Sequence, residues 1–299
     1  MLEVLFQSLA GILHAPNGHY KPYRSMLMDY ALRDSLGFGG FGKVYAAWRK
    51  SDRKQVAIKF IDKSKIPSSQ WALDVKLGRL PIEIFVLKHV KHPNIVELFD
   101  YCEDKSQFII VQELFGTNWA NGRSKCLDLY EYKASHAINE QDAKRIFKQI
   151  IDVVTTLYLK YRIVHGDIKE ENILVDSNLA IKLIDFGSAF IGVQPGKMLP
   201  RKSFHGTSEF ASPEILKGLD FDPCANEVWS LGVFLYSLLH REMPFTLAEM
   251  KKHKFDISEF LDTRIQGDSA AANLQRSCLQ TNPQDRIKLE DIIKHPWLN

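Results

Sequence analysis

The first third of the chain alternates short apolar runs with polar turns, a pattern that is typical of half-buried β-strands. Apolar residues at helical spacing predict one helix from Pro81, which Pro93 should end because proline cannot continue a helix. Residues 71–80 are expected to form a loop or a short helix. Strands are predicted at 30–36, 43–48, 56–61, 96–101 and 108–113, the first three as an antiparallel meander.

The rest of the chain favours helices. From Asn139, a plausible helix cap, apolar residues recur every three or four positions, which predicts an amphipathic helix. Residues 227–239 are nearly apolar all round and should form a buried central helix, and a last helix should begin at Leu289. The turn-rich segment 116–123 is interpreted as the linker where a small lobe ends. The predicted buried face of the amphipathic helix consists of Ala143, Ile146, Phe147, Ile150, Val154 and Leu157.

Composition narrows the class of protein. The 299 residues are 45% hydrophobic and 25% charged, which allows a large core in two lobes. A net charge of +3 gives no reason to expect nucleic acid, and no apolar run approaches the roughly 20 residues of a membrane span. Cys102, Cys126, Cys224 and Cys278 form no C-x-x-C pair, so we expect a reducing compartment, the cytoplasm or also the nucleus. Residues 1–8 resemble a viral 3C-type protease recognition tag and are left out of the fold prediction.

A glycine cluster joins the first two predicted strands. Gly37, Gly39 and Gly42 form a G-x-G-x-x-G pattern, whose backbone N–H groups can close over a phosphate. The same pattern opens dinucleotide sites, but there a helix follows the glycines directly. Here Val44 and its neighbours continue as a strand, which favours a phosphate cover of the strand-turn-strand type.

A lysine and a glutamate form a second candidate group. Lys59 ends an apolar strand, where a lysine usually extends its charged end to solvent. Glu83, on the predicted helix from Pro81, could instead pair with it. Such an ion pair would hold Lys59 against the α- and β-phosphates of a nucleotide.

Two further segments carry polar residues beside apolar strands. Within residues 163–175, Asp167 could accept a hydroxyl proton, Lys169 could neutralise developing charge and Asn172 could hold a metal. A solvated turn is the alternative for this segment taken alone. Asp185 ends a second apolar strand and could bind Mg²⁺ between phosphates, since oxygen ligands suit that ion. Farther along, Arg286 is a candidate structural partner for Glu214.

Taken in order, these motifs resemble the eukaryotic protein kinases of the serine/threonine type, and most of all the PAS kinase catalytic domain, with PIM kinases as more distant relatives. The resemblance implies an α+β fold with two lobes, a small antiparallel β-sheet lobe with one long helix and a larger, mainly helical lobe. It covers residues 28–299, divided at 28–115 and 116–299. The stretches that carry it most specifically are 74–78, 168–173, 182–189 and 227–232.

The resemblance also implies a reaction and a nucleotide site. The reaction is transfer of the γ-phosphoryl group of Mg-ATP to serine or threonine hydroxyls of protein substrates, by an enzyme that is expected to be a monomer. Asp128 should serve the ribose and, together with Glu171, a basic residue upstream of the acceptor. Gln112 would be the gatekeeper. Adenine is expected between Val44, Ala57 and Leu174, bonded to the backbone of Glu113 and Phe115.

Three positions depart from the family pattern. Gly166 replaces the arginine that binds a phosphorylated activation loop in many relatives, so activity should not require loop phosphorylation. Glu227 replaces an aspartate that supports the catalytic loop, and Ser212 replaces an alanine. The alternative function is a pseudokinase scaffold, although the chain has Lys59, Asp167 and Asp185. The kinase interpretation requires that folding gathers Lys59, Glu83, Asp167, Asn172 and Asp185 around one triphosphate.

Overall fold

The structure, a computed structural model, describes residues 23–39, 42–116, 127–192, 198–252 and 263–299. The linker prediction at 116–123 therefore lies almost wholly outside the described residues. The chain forms two compact units: residues 1–91 with 96–114, and residues 92–95 with 115–299. Within the described residues, no helix is both long and apolar enough to cross a lipid bilayer.

The first unit is built on a five-stranded antiparallel sheet with the order β1-β2-β3-β7-β6. The predicted meander and the two later strands are confirmed, with ends that differ by up to three residues. A short helix, α1 (Tyr23–Met28), precedes the sheet, and Met26 is fully buried in its core. The strands are β1 (Tyr30–Gly39), β2 (Gly42–Arg49), β3 (Gln55–Asp62), β4 (Trp71–Asp74), β5 (Gly78–Pro81), β6 (Leu98–Glu103) and β7 (Gln107–Glu113), of which β4 and β5 pair separately.

The expectation of a loop or short helix at 71–80 is wrong, because β4 and β5 form an antiparallel hairpin. Asp74 closes its turn, accepting backbone hydrogen bonds from Lys76 at 2.8 Å and Leu77 at 3.0 Å. Gly78 follows with φ +78°, a left-handed conformation that favours glycine. Strands of four residues are too short to show a clear alternation, which is why the sequence pattern missed them.

The predicted helix of the first unit, α2 (Ile82–His89), is shorter than expected. It ends at His89 and not at Pro93, because Val90 adopts an extended conformation (φ −100°, ψ 132°) that buries its side chain. The helix therefore ends where the chain becomes extended at the buried Val90, before it reaches the proline.

The second unit is mainly helical, and its main predicted elements are confirmed. Asn139 caps α4, accepting a hydrogen bond from the Asp142 N–H at 2.9 Å, and every residue of the predicted apolar face is buried. The central helix α6 is buried along its length, and Gly232 allows close packing because a Cβ there would lie 2.7 Å from that of Cys278. The helices are α3 (Leu129–Ser135), α4 (Glu140–Thr156), α5 (Pro213–Leu216), α6 (Pro223–His240), α7 (Leu247–Lys252), α8 (Ala270–Cys278) and the single turn α9 (Leu289–Ile292).

Five short strands complete the second unit and carry the polar segments. The strands β10 (Ile173–Val175), β11 (Ile181–Leu183) and β8 (Leu127–Asp128) form one antiparallel sheet with β10 in the centre. The strands β9 (Ile163–Val164) and β12 (Phe190–Ile191) form another. The predicted pair between Arg286 and Glu214 is confirmed, with the two terminal guanidinium nitrogens, Nη1 and Nη2, each donating to a carboxylate oxygen at 2.7 Å.

Candidate active site

The loop between β9 and β10 is held by buried groups beneath it. The Glu227 carboxylate, on α6, accepts hydrogen bonds from the N–H groups of His165 and Gly166, each at 2.9 Å. Burial raises the pKa of Glu227 to about 7, although these two hydrogen bonds act against the rise. His165 is fully buried and lies 3.0 Å from the carbonyl oxygen of Ile184. The glutamate that replaces the family's aspartate therefore still supports the loop backbone.

Asp167 is the centre of a hydrogen-bonded group. Asn172 donates its amide N–H to the Asp167 carboxylate at 2.9 Å and to its carbonyl oxygen at 2.8 Å. The Lys169 ammonium lies 3.4 Å from the same carboxylate. The structure therefore brings together the three residues that the sequence singled out in this loop, and the solvated-turn alternative is wrong.

Thr207 joins this group and was missed in the sequence. Its N–H donates to the Asp167 carboxylate at 2.7 Å, and its hydroxyl accepts from Lys169 at 2.7 Å. Thr207 follows Gly206 and precedes the Ser212-Pro213-Glu214 motif by five residues, a spacing that could have identified it. The contact fixes both the carboxylate and the ammonium in one orientation.

Asp185 lies beside Asn172 through the strand pairing of β10 and β11. The N–H of Ile184 donates to the carbonyl oxygen of Asn172 at 3.0 Å, so Asp185 follows directly on a residue bonded to Asn172. Asp185 has φ +60°, a left-handed conformation that costs free energy for a residue with a side chain. Its carboxylate accepts from the Gly187 N–H at 3.3 Å.

The donor set of Asn172 and Asp185 fits Mg²⁺. The amide nitrogen of Asn172 is used by Asp167, which leaves the amide oxygen as the atom to offer to a metal. Among the described residues there is no cluster of three His, Cys, Asp or Glu side chains that could hold a metal alone. Mg²⁺ commonly binds through one or two protein oxygens with phosphate oxygens completing its shell, which these two residues match.

In the first unit, Lys59 and Glu83 form a buried ion pair. The ammonium lies 2.7 and 2.8 Å from the two carboxylate oxygens, and the two residues are 3% and 2% exposed. The pairing prediction is therefore confirmed, and the reading of Lys59 as a solvent-directed lysine is wrong. The contact of Lys59 with a phosphate stays a prediction.

The glycine cluster connects β1 to β2, and Gly39 pairs with Gly42. A Cβ at Gly42 would lie 1.6 Å from the carbonyl oxygen of Phe60, so close packing on β3 requires glycine there. Gly37 pairs with Val44. Residues 40 and 41 lie outside the described residues, and contact of these glycines with phosphate stays a prediction.

The positions expected to contact adenine are divided between the two units. Val44, Ala57 and Glu113 lie on strands of the first unit, with Ala57 opposite Gln112. The N–H of Glu113 donates to the carbonyl oxygen of Glu97, and Gln112 is buried with no partner for its amide oxygen among the described residues. An unpartnered buried oxygen is compatible with a ligand that donates to it.

The second unit supplies Phe115 and Leu174, the remaining adenine positions, and Asp128, which is expected at the ribose. Leu174 of β10 lies opposite Asp128 of β8. Burial, helped by the nearby charges of Glu131 and Glu171, raises the pKa of Asp128 to about 6. The carboxylates of Glu131 and Glu171 therefore lie near enough to Asp128 to influence its ionisation. The roles of all these residues towards a nucleotide stay predictions.

Apolar contacts hold the chain after Asp185. Met198 and Phe190 are buried together with Val164 and Phe221, and Phe204 packs against them. Backbone hydrogen bonds of 2.8 and 3.0 Å join Arg201 to Phe221. The segment is therefore anchored by apolar side chains and by backbone hydrogen bonds.

Comparison with known proteins agrees with this geometry. Residues 30–298 match the family model described as the protein kinase domain. The chain belongs to the protein kinase family. This kinase domain is 36% identical over 264 residues to the PAS domain-containing serine/threonine-protein kinase of Mus musculus, covering 88% of this chain and 18% of that protein. It is 33% identical to the serine/threonine-protein kinase ppk6 of Schizosaccharomyces pombe, covering 91% and 34%, and 33% identical to PSK1 of Saccharomyces cerevisiae, covering 90% and 19%.

The kinase domain thus spans between 18% and 34% of the length of these relatives. The matches confirm both the two-lobed kinase fold that the sequence predicted and the resemblance to PAS kinases.

Proposed function

We propose that the kinase domain transfers the γ-phosphoryl group of Mg-ATP to serine or threonine hydroxyls of protein substrates. The observation that carries the proposal is the hydrogen-bonded group of Asp167, Asn172, Lys169 and Thr207 in the second unit. Asp167 accepts the proton of the substrate hydroxyl and orients it, and Lys169 offsets charge on the transferred group.

The remaining residues serve the nucleotide. Lys59, held by Glu83, binds phosphate oxygens, and Asn172 with Asp185 holds Mg²⁺, which neutralises the triphosphate when bound. Most of the rate acceleration then comes from positioning and electrostatic stabilisation, because phosphoryl transfer leaves the protein little covalent chemistry to perform.

Two finer features extend the proposal. Carboxylates of Asp128 and Glu171 favour substrates with arginine or lysine upstream of the acceptor, since a basic residue would relieve their mutual repulsion. The activation segment, which runs from Asp185 to Glu214, works without phosphorylation, because Gly166 offers no guanidinium to a phosphate and apolar packing already anchors the segment. We also propose a location in the cytoplasm, or also in the nucleus, on the sole basis that the cysteines form no C-x-x-C pair.

The decisive experiment substitutes the residue that would accept the proton. Asp167→Asn should lower transfer from Mg-ATP to a basic peptide by about 10²- to 10⁴-fold, the usual contribution of a general base. Thermal stabilisation by Mg-ATP should persist, because Asp167 is not assigned to the nucleotide. Asp268→Asn, at an exposed carboxylate of the same unit, is the matched control.

Two results would contradict the proposal. One is an Asp167→Asn enzyme as active as the wild type. The other is a wild-type protein that binds Mg-ATP and transfers nothing to any serine or threonine peptide, which would favour a scaffold.

A further inference from the structure

A buried ion pair anchors the loop between β9 and β10, and Asp167 is not one of its two partners. Lys133, on α3, donates to the Glu170 carboxylate at 2.8 Å, to the Ser237 hydroxyl at 2.7 Å and to the Ser237 carbonyl oxygen at 2.8 Å. Lys133 is 8% exposed, Glu170 3% and Ser237 4%. Three elements of one unit therefore meet at a single ammonium group: α3, the loop and α6.

Glu170 occupies a special place in the loop. It begins the 3₁₀ turn Glu170–Asn172, between Lys169, which contacts Thr207, and Asn172, which binds Asp167. The N–H of Asn172 donates to the carbonyl oxygen of Lys169 at 3.1 Å across this turn. Anchoring the Glu170 side chain inward therefore determines how the turn presents the residues on either side of it.

Lys133 fixes the other side of the contact. Its helix, α3, begins at Asp128, whose carboxylate caps the helix by accepting from the Glu131 N–H at 2.8 Å. Arg241, just after α6, donates to the carbonyl oxygens of Lys133 and His136, which ties down the end of α3. The ion pair thus connects α3, which begins at Asp128, with the loop that carries Glu170.

The ion pair of Lys133 and Glu170 contributes more to the orientation of the loop than to the free energy of unfolding. Removing two charges from water costs about as much as their attraction returns, and apolar residues of similar size often replace such pairs without loss. Apolar side chains can slide past one another, however, whereas an ammonium with three acceptors has one arrangement. A loop that must hold its side chains to within a fraction of an ångström benefits from the single arrangement of the ammonium group.

We propose that Lys133 is a positioning residue, which acts through Glu170 to hold the turn Glu170–Asn172, and with it Lys169 and Asn172, in the orientation needed for phosphoryl transfer. The proposal rests on the kinase function proposed above. It assigns no contact between Lys133 and substrate, nucleotide or metal.

The test is a comparison of stability with turnover in a double variant. Lys133→Leu with Glu170→Leu removes both charges together, so no lone charge remains buried. We expect thermal stability close to that of the wild type and a kcat lowered by about tenfold, as a small misplacement of reacting groups produces, with an unchanged KM for ATP. Lys63→Met with Glu103→Gln, at a half-exposed pair of the first unit, is the control and should leave kcat unchanged.

A purely structural role predicts a different result. In that case the double variant would have the thermal stability of the wild type and also its kcat, and that outcome overturns the proposal. If the double variant does not fold, Glu170→Asp keeps the charge and shortens the side chain by one methylene. It should lower kcat and leave the KM for ATP unchanged, and wild-type kcat in this variant also overturns the proposal.

A second measurement separates this inference from the proposed function. Backbone amide hydrogen exchange at residues 168–173 needs no turnover, and it should become faster in the double variant than in the wild type. If the wild type transfers no phosphoryl group, the kinase proposal is refuted, and the exchange measurement still tests the role of Lys133. Unchanged exchange together with unchanged kcat would refute the role of Lys133 alone.

Discussion

Gly166 shows how one residue can combine a backbone requirement with a functional departure. Its φ of +79° is left-handed, and a Cβ would lie 2.4 Å from the carbonyl oxygen of Ser188 and 2.9 Å from the Phe190 ring. A side chain at this position therefore faces both backbone strain and crowding. Gly166 thus lacks the arginine side chain of the family, and the same lack of a side chain permits its close contact with Ser188 and Phe190 of the activation segment.

Gly166→Ala should reduce the free energy of unfolding by more than Gly218→Ala. Both glycines have left-handed φ, which costs about 1–2 kcal/mol for a residue with a side chain. A Cβ at Gly218 would meet no atom within 4 Å, whereas crowding at Gly166 adds about 1–3 kcal/mol. Denaturant unfolding of the two variants measures the difference, and equal losses would show that the Ser188 contact relaxes freely.

Asp128 permits a prediction about pH. With a pKa raised to about 6, its carboxylate is mostly protonated at pH 5 and mostly ionised at pH 7. Because only the ionised form attracts a basic side chain, kcat/KM for a peptide with an upstream arginine should rise over this interval. The corresponding alanine peptide should show a smaller rise.

Asp128→Asn should remove the extra rise seen with the arginine peptide, measured as the ratio of the two peptides' kcat/KM at each pH. If the ratio still increases between pH 5 and 7 in this variant, another group recognises the arginine.

At the scale of elements, one buried ion pair joins α5 to the chain before α9. Arg286 binds Glu214 through two nitrogens, donates to the carbonyl oxygen of Gln280 at 2.9 Å and lies over the Trp229 ring at 5.1 Å. Burial would raise the pKa of Glu214, but the Arg286 guanidinium outweighs it and the pKa is below its ordinary value. The pair therefore stabilises the fold above the unfolded pKa of the glutamate and loses this contribution as the pH falls.

Arg286→Met should cost about 3–5 kcal/mol of unfolding free energy near neutral pH, because it leaves an uncompensated buried carboxylate. Adding Glu214→Gln should restore part of the loss. Lys294→Met, at an exposed pair with Asp291, is the control and should change stability little. An equally small effect at Arg286 would mean that water reaches Glu214.

Elements differed in how well the sequence predicted them. The helix α4 was predicted with its Asn139 cap and most of its buried face, which also includes Ile151 and Val153, since 17 residues repeat the helical period several times. The hairpin β4–β5 and the end of α2 were mispredicted, because a four-residue strand contains only two repeats of the alternation and Val90 is extended and buried in the folded chain.

At the scale of the whole molecule, the proposed activity without phosphorylation depends on how the activation segment is anchored. Phe190 packs edge to face with Phe221 at 5.8 Å, and Met198 is buried beside them. Ser203 is exposed within the same segment. If this packing replaces a phosphate, no modification of the segment is needed for turnover.

Phosphatase treatment should therefore leave the initial rate of peptide phosphorylation unchanged, and so should Ser203→Ala. Met198→Ser should lower the rate, because it places a hydroxyl in the apolar cluster that anchors the segment. A rate that falls on phosphatase treatment and returns after incubation with ATP would contradict this picture.

The sequence by itself determined the family, the main helices and sheet, and the residue types of the candidate site, because motif spacing and hydrophobic period are properties of neighbouring positions. Only the tertiary structure decided that Thr207 binds both Asp167 and Lys169, that Glu227 supports the loop and that Lys133 meets Glu170. These contacts join residues 37 to 62 positions apart. Burial of such polar groups is stable only when each finds a partner, and which partner it finds depends on how the elements pack.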